Sequence, residues 1–236
     1  MSVSIQPPPS TAPKKKSGLG CLGCGCAALA LVAVLLIGLA GLMVYSIHKE
    51  ALALTSTTPT DIPAFTGGPD VFNTAEQKGE AFQLDVKNHR ASTLQLSGDE
   101  LNALIANSPA ATQNNIRAFV TLSGSDARVQ VCLPTDKLSK GLLTGRYFSF
   151  DSTFTVAFDA STKSLILSPQ TLQFGTLDLL GPGMTEAQKQ QVSRSLVPVI
   201  SQNLNTSLRS NPDCGEVLDH ARNVEVKDGE LIIETD

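Results

Sequence analysis

The sequence contains no tryptophan, only two tyrosines and only three histidines. Sites that bind sugars or peptides by stacking need aromatic side chains, so this scarcity argues against them. The chain also lacks the nucleophile-elbow, zinc-protease, phosphate-loop and dinucleotide-binding signatures, in which specific residue types stand at a fixed spacing. We therefore predict no enzymatic activity, no cofactor and no metal site.

Positive charge is scarce after residue 50, where acidic residues outnumber basic residues. The arginines of this region are scattered along the chain and form no basic stripe. Nucleic acids attract proteins through concentrated positive charge. We therefore expect no nucleic-acid partner.

Only one long hydrophobic run is present, and its apolar part extends from Ala27 to Ile47. As a helix these 21 residues reach about 30 Å, the thickness of the hydrocarbon core of a bilayer. Lys14, Lys15 and Lys16 precede the run, and lysines that flank a first span tend to remain in the cytoplasm. The run predicts a single-pass protein of the cell membrane with a cytoplasmic N-terminus, an extracytoplasmic C-terminal domain, and the lipid bilayer as the partner of residues 27–47.

A cleaved signal peptide is the alternative interpretation, because Ala51-Leu52-Ala53 has the small-residue pattern of a signal-peptidase site. The hydrophobic core of a signal peptide has about 7–15 residues, which is shorter than this run. A retained anchor is therefore favoured. Composition then divides the chain into a disordered cytoplasmic tail (1–17), the anchor (18–49), a Thr/Pro-rich linker (50–69) and one extracytoplasmic domain (70–236).

The five cysteines fall into two groups. Cys21, Cys24 and Cys26 lie beside the anchor, where three thiols leave a four-coordinate metal site incomplete unless a second chain contributes. Acylation of these thiols and close helix packing among the neighbouring glycines are the other interpretations. Cys132 and Cys214 are the only two cysteines of the extracytoplasmic domain, and an oxidising compartment would allow them to form a disulfide.

Capping boxes predict two helices. Ser97 with Glu100 predicts a helix that begins at this box and ends at Ser108-Pro109. Thr185 with Gln188 predicts the longest helix, from Thr185 to Arg209. Its apolar stripe consists of Val192, Leu196, Val199, Ile200, Leu204 and Leu208. A sparser helical pattern follows Asp70, which we expect to act as an N-cap.

Alternation of apolar and polar residues predicts strands over residues 117–122, 127–133, 146–158 and 164–174. In the third of these, phenylalanines share one face and polar residues share the other, which is typical of a sheet with one wet face. Pro169 indicates an edge or a bulge in the fourth. Asp228-Gly229 predicts a C-terminal hairpin in which Val226 faces Leu231 and Val224 faces Ile233.

Together these elements predict an α+β fold, in which a transmembrane helix precedes a domain whose antiparallel sheet packs against the long amphipathic helix. The predicted function is a membrane-anchored binding or scaffold protein of the cell envelope, without catalysis, whose partner is an envelope protein or a lipid. The alternative function is the binding of a lipid or another apolar ligand in a groove between the sheet and the 185–209 helix. The residues expected to line that groove are Phe148, Phe150, Phe154, Phe158, Leu196 and Leu204.

Two local groupings contain residue types that act in catalysis. Asp99 and Glu100 could act as paired carboxylates, but capping of the following helix explains both. Cys214 could act as a nucleophile, with His220 as its base and Asp219 as the residue that orients the base. Cys214 is, however, also the only disulfide partner for Cys132. Asn205-Thr206-Ser207 is a glycosylation sequon, which has meaning only in a eukaryotic secretory pathway.

Five features together resemble a known group of proteins: the cationic N-terminal anchor, the capped helix written Leu96 to Ile105, a β-meander, the long helix, and the ending Val224 to Ile232 around its Asp-Gly turn. In this architecture the chain is similar to uncharacterised single-span bacterial exported proteins of the YpmS type. The resemblance implies the same location and topology, and it implies no catalytic residue.

Overall fold

The computed structural model describes residues 54–137 and 143–236. These residues form an α+β fold, as predicted. The helices in this part of the chain are α1 (Pro69–Lys87), α2 (Gly98–Ala106), α3 (Pro109–Asn114), α4 (Glu186–Ser210) and α5 (Pro212–His220). Its strands are β1 (Thr55–Ser56), β2 (Thr93–Ser97), β3 (Arg117–Ser123), β4 (Asp126–Pro134), β5 (Tyr147–Asp159), β6 (Ser164–Phe174), β7 (Leu177–Asp178), β8 (Ala221–Lys227) and β9 (Glu230–Thr235).

The strands form two antiparallel sheets. The larger sheet has the order β3-β4-β5-β6-β7, and β1 pairs with the beginning of β5. The smaller sheet has the order β2-β9-β8. Its hairpin has the predicted register, with Val226 opposite Leu231 and Val224 opposite Ile233. The bulge indicated by Pro169 is also confirmed, because the register between β5 and β6 shifts next to it.

The main hydrophobic core lies between the phenylalanine face of the larger sheet, α4 and the smaller sheet. Within this core, the ring centres of Phe150 and Phe174 are 5.1 Å apart. Ile200, Leu204 and Leu208 of α4 belong to the same cluster of buried side chains. The predicted packing of the sheet against the long helix is therefore confirmed. The predicted stripe is not buried along its whole length, since Val199 is exposed.

A second hydrophobic cluster joins α1 and α2 to β2 and β3. The capping box of Ser97 and Glu100 is present at the start of α2, and that of Thr185 and Gln188 at the start of α4. The expected N-cap at Asp70 is wrong. Gly68 is the N-cap of α1 and Pro69 is its first residue, so Asp70 lies within the first turn, where its negative charge favours the positive end of the helix dipole.

The beginning of the described chain packs on the domain, whereas the sequence predicts a linker up to residue 69. Thr55 pairs with Phe148, and the guanidinium of Arg146 donates to the Thr55 hydroxyl at 2.7 Å and to its carbonyl at 2.6 Å. Leu54 and Ile62 are only 7 % and 5 % exposed. Burial of these two apolar side chains stabilises the packing of this segment on the domain. A composition rich in threonine and proline does not reveal that packing.

Across residues 54–137 and 143–236, no helix is both long and apolar enough to cross a membrane. The predicted span at 27–47, the cytoplasmic tail and the cysteines at 21, 24 and 26 lie outside the described residues.

Candidate functional site

The outer face of the larger sheet lies opposite the main core, and it is exposed to solvent at Arg128, Thr171 and Gln173. Because side chains alternate along each strand, the register of β4, β5 and β6 aligns their polar residues in rows across this face. One row is Gln130, Asp151 and Gln173, the next is Arg128, Thr153 and Thr171, and a third is Asp126, Thr155 and Ser168. The predicted wet face of the sheet is therefore present, and we call these rows the polar face.

An ion pair lies at the centre of the polar face. The guanidinium of Arg128 donates to both carboxylate oxygens of Asp151, from Nε at 2.9 Å and from Nη2 at 2.7 Å. The side-chain amide of Gln130 donates to Asp151 Oδ2 at 2.9 Å. The hydrogen bond from Arg128 lowers the pKa of Asp151 below its usual value, partial burial opposes this shift, and Gln130 adds to it. The same bond raises the pKa of Arg128.

Hydrogen bonds also order the neighbouring rows. The hydroxyl of Thr155 donates to Asp126 Oδ1 at 2.9 Å, and the amide of Gln170 donates to the Thr155 hydroxyl at 2.9 Å. The backbone N–H of Thr153 donates to the hydroxyl of Thr171 at 2.9 Å. Three strands therefore hold these polar side chains in fixed positions, which lowers the entropy cost of contact with a partner.

Two asparagines occupy backbone groups at the edges of the larger sheet, one on β3 and one on the part of β6 that β7 does not cover. The amide of Asn102 in α2 donates to the carbonyl of Val120 at 2.8 Å and accepts from its N–H at 2.7 Å. At the opposite edge, Asn205 in α4 donates to the carbonyl of Leu165 at 2.9 Å and accepts from its N–H at 2.8 Å. Both backbone groups that would pair with another strand are thus occupied at each position.

Charged side chains cover the edge of the smaller sheet at β2. The ammonium of Lys78 donates to the carbonyl of Gln95 at 3.2 Å and lies 2.6 Å from the carboxylate of Glu100. Glu100 in turn accepts from the N–H of Ser97 at 2.9 Å. Strand addition is therefore disfavoured at these edges, and the polar face is the candidate binding surface.

The predicted groove residues lie in the core. Phe148, Phe150, Phe154 and Leu204 are buried, and the rings of Phe150 and Phe154 stack with their centres 6.1 Å apart. Phe158 and Leu196 are partly buried and pack against the same cluster. These side chains fill the space between the sheet and α4, so the structure gives the groove interpretation no specific support.

No disulfide joins Cys132 and Cys214 in the structure, and both are buried. Cys214 belongs to the main core together with Val131 and Leu133. Cys132 lies between Val131 and Leu133 in β4, so its side chain points to the opposite side of the sheet. The larger sheet thus separates the two thiols, and the disulfide expected from the sequence is not formed.

The residues of the two catalytic alternatives have other roles here. Glu100 caps α2, and Asp99 is exposed at the first turn of the same helix. Asp219 accepts from Arg209 Nη1 at 2.7 Å, and the ring of His220 lies against that of His89. Among the described residues, no group of three or more histidine, cysteine, aspartate or glutamate side chains is arranged to hold a metal ion.

Sequence reasoning missed α5 and the asparagines that close the sheet edges. Asn211-Pro212 is the local signal for α5, since the Asn211 side chain accepts from the N–H of Asp213 at 3.0 Å and proline suits the first helical position. Asn102 and Asn205 have no such signal, because the strands that they contact are distant in sequence.

Comparison with known proteins finds no protein-family model that matches this chain and no significant match among curated proteins.

Proposed function

We propose that this chain is a membrane-anchored binding protein of the cell envelope, which presents the polar face of its extracytoplasmic domain to an envelope protein. The observation that carries the proposal is the ordered hydrogen-bond network around Asp151 on an accessible sheet surface. A sheet face that fixes a bidentate ion pair, amides and hydroxyls supplies both donors and acceptors to a polar partner.

The anchor in this proposal is the hydrophobic run at 27–47, with the N-terminus in the cytoplasm. The chain between Ile47 and Leu54 reaches at most about 25 Å when extended. Since Leu54 is buried and Thr55 pairs with Phe148, the proposed anchor holds the domain close to the bilayer. The polar face would then meet partners that also lie near the membrane. The architectural resemblance to YpmS-type exported proteins agrees with this topology.

Site-specific photocrosslinking in native membranes tests the proposal. In the full-length chain, a photoreactive residue replaces Thr171 or Thr121. Thr171 is exposed on the polar face, and Thr121 is exposed on β3, where it pairs with Arg128 and extends the second row. Glu80, exposed on α1, is the matched control position. We expect a discrete protein adduct from both polar-face positions and none from Glu80. Substitution of Arg128 by alanine should reduce the adduct, because it releases Asp151 from its fixed position.

Three results would contradict the proposal. Equal crosslinking from Glu80 and from the polar face would mean that contact is nonspecific. The absence of adducts at both threonines would mean that the face has no partner. Lipid adducts alone would favour the apolar-ligand alternative over an envelope protein.

A further inference from the structure

Two of the chain's three histidines meet at the surface, although they are distant in sequence. The ring centres of His89 and His220 are 5.2 Å apart, and the ring planes are tilted by 53°. His89 follows α1, and His220 is the last residue of α5. The fold therefore brings two imidazoles together from the ends of two different helices.

The spacing of the rings suits a shared metal ion. A Zn²⁺–imidazole bond is about 2.0–2.1 Å long, so two rings that bind one ion at a roughly tetrahedral angle have their centres about 5 Å apart. Imidazole nitrogen is a good ligand for zinc, copper and nickel ions. Water would occupy the remaining coordination positions, since no third protein ligand of the described residues joins the pair.

The backbone at His89 gives a second, independent indication. His89 has φ +51°, a left-handed conformation that favours glycine. Its N–H donates to the carbonyl of Val86, and the N–H of Arg90 donates to that of Asp85, which is the hydrogen-bond pattern of a helix that ends with glycine. Histidine occupies this position although glycine would adopt the same backbone conformation without strain.

The electrostatics of the site also favour a cation. Both rings lie at the C-terminal ends of helices, where the helix dipole contributes partial negative charge. Three basic residues lie within two positions of these histidines in the sequence, and each is held in an ion pair. Arg90 lies 2.6 Å from Asp85, Lys87 lies 3.0 Å from Asp213, and Arg222 lies 3.7 Å from Asp236.

From this geometry we propose that His89 and His220 bind a divalent transition-metal ion of the Zn²⁺ or Cu²⁺ type. The ion links the end of α1 to the end of α5. This inference does not depend on the proposed polar-face function, because the two histidines lie outside the polar face.

Zinc titration of the full-length chain in detergent tests the proposal. Cys21, Cys24 and Cys26 are replaced by serine in every sample, so that their thiols do not compete for the ion. Affinity is measured by competition with a chromophoric chelator, and the unfolding temperature is measured with ZnCl₂ and with EDTA. We expect one ion per chain and a higher unfolding temperature with zinc.

Variants at each histidine identify the ligands. His89→Asn keeps a residue that tolerates the left-handed backbone, and both it and His220→Asn should weaken zinc binding at least tenfold. His48→Asn, which changes the third histidine, should leave binding unchanged. His89→Gly separates metal binding from folding, because it should maintain or raise the unfolding temperature in EDTA while abolishing the zinc-induced increase.

Zinc binding of unchanged affinity in His89→Asn and His89→Gly would overturn the proposal. So would the absence of binding at millimolar zinc in the parent chain, or a loss of binding only in His48→Asn. If His220→Asn does not fold, the two His89 variants still decide the outcome.

Discussion

Asn102 acts toward Val120 as a neighbouring strand would, because its single amide binds both the carbonyl and the N–H of that residue. Asn205 repeats this arrangement with Leu165 at the other edge of the sheet. A helix packed at each edge thus supplies the missing backbone partner from a side chain. The arrangement satisfies edge groups that would otherwise template aggregation.

Substitution of Asn102 by alanine should lower the free energy of unfolding by at least about 2 kcal/mol, because the donor and the acceptor of Val120 both lose their partner at a buried position. Urea unfolding at neutral pH measures the effect. Asn107→Ala is the matched control. Asn107 is exposed at the C-terminal end of the same helix, where its side chain donates to the carbonyl of Ala103. Loss of this side chain should lower the free energy of unfolding by less than about 0.5 kcal/mol. Equal losses would refute the edge-closing role.

Glycosylation at Asn205 should destabilise the domain. The sequon exists, but Nδ2 of Asn205 donates to both Leu165 and Ser201, and attachment of a glycan replaces one of its two hydrogens. The chain produced in a eukaryotic secretory pathway should therefore show a lower unfolding temperature in its glycosylated fraction. Ser207→Ala removes the sequon without changing Asn205 and should remove the difference. A glycosylated fraction as stable as this variant would contradict the stabilising role of the Asn205 amide.

The sequence predicted those parts of the fold that depend on residues close together in the chain. Both capping boxes and the register of the Asp228-Gly229 hairpin are local, and all three are confirmed. The roles of Asn102 and Asn205 could not be predicted, because each depends on a strand that only the tertiary fold brings beside it. The same limit explains the disulfide expectation, since alternation along β4 shows which way Cys132 points but not where the helix with Cys214 packs.

The hydrophobic pattern likewise predicted more of the fold than of the site. The phenylalanines of β5 were identified as one apolar face, and they are buried as that pattern requires. Their alternative role as a ligand groove depended on incomplete packing against α4, which no local pattern reports. The polar face was predicted as a wet surface, but its ion pair depends on the register that places Arg128 beside Asp151 across two strands.

Acidification should weaken the link between Arg128 and Asp151. The folded-state pKa of Asp151 is lowered, so its stabilising contribution is present above the unfolded-state value of about 4 and is lost as the pH falls through the folded-state value. A double-mutant cycle of Asp151→Asn and Arg128→Gln should give a coupling of about 0.5–1 kcal/mol at pH 7, as for partly exposed ion pairs. The coupling should decrease as the pH falls below the unfolded-state value and Asp151 takes up a proton. A coupling that does not depend on pH would show that charge is not involved.

Gly229→Ala should destabilise the C-terminal hairpin by about 1–2 kcal/mol, because Gly229 has φ +81° and a side chain is strained in that region. Gly183→Ala is the control, since an added Cβ there meets nothing within 4 Å and the backbone is not left-handed. Thermal unfolding of both variants measures the difference. Similar melting temperatures for the two variants would mean that the turn does not need glycine.

The buried thiols predict the redox behaviour of the domain. Cys132 and Cys214 are 2 % and 4 % exposed and lie on opposite sides of the larger sheet, whereas a disulfide requires their Cα atoms within about 7 Å. Peptide mapping by mass spectrometry should find both thiols unlinked, and iodoacetamide should modify them only after unfolding. Dithiothreitol should leave the urea midpoint unchanged, because there is no crosslink to remove from the unfolded state. A peptide pair joined through these two cysteines, with a lower midpoint on reduction, would instead require the helix with Cys214 to pack on the polar side of the sheet.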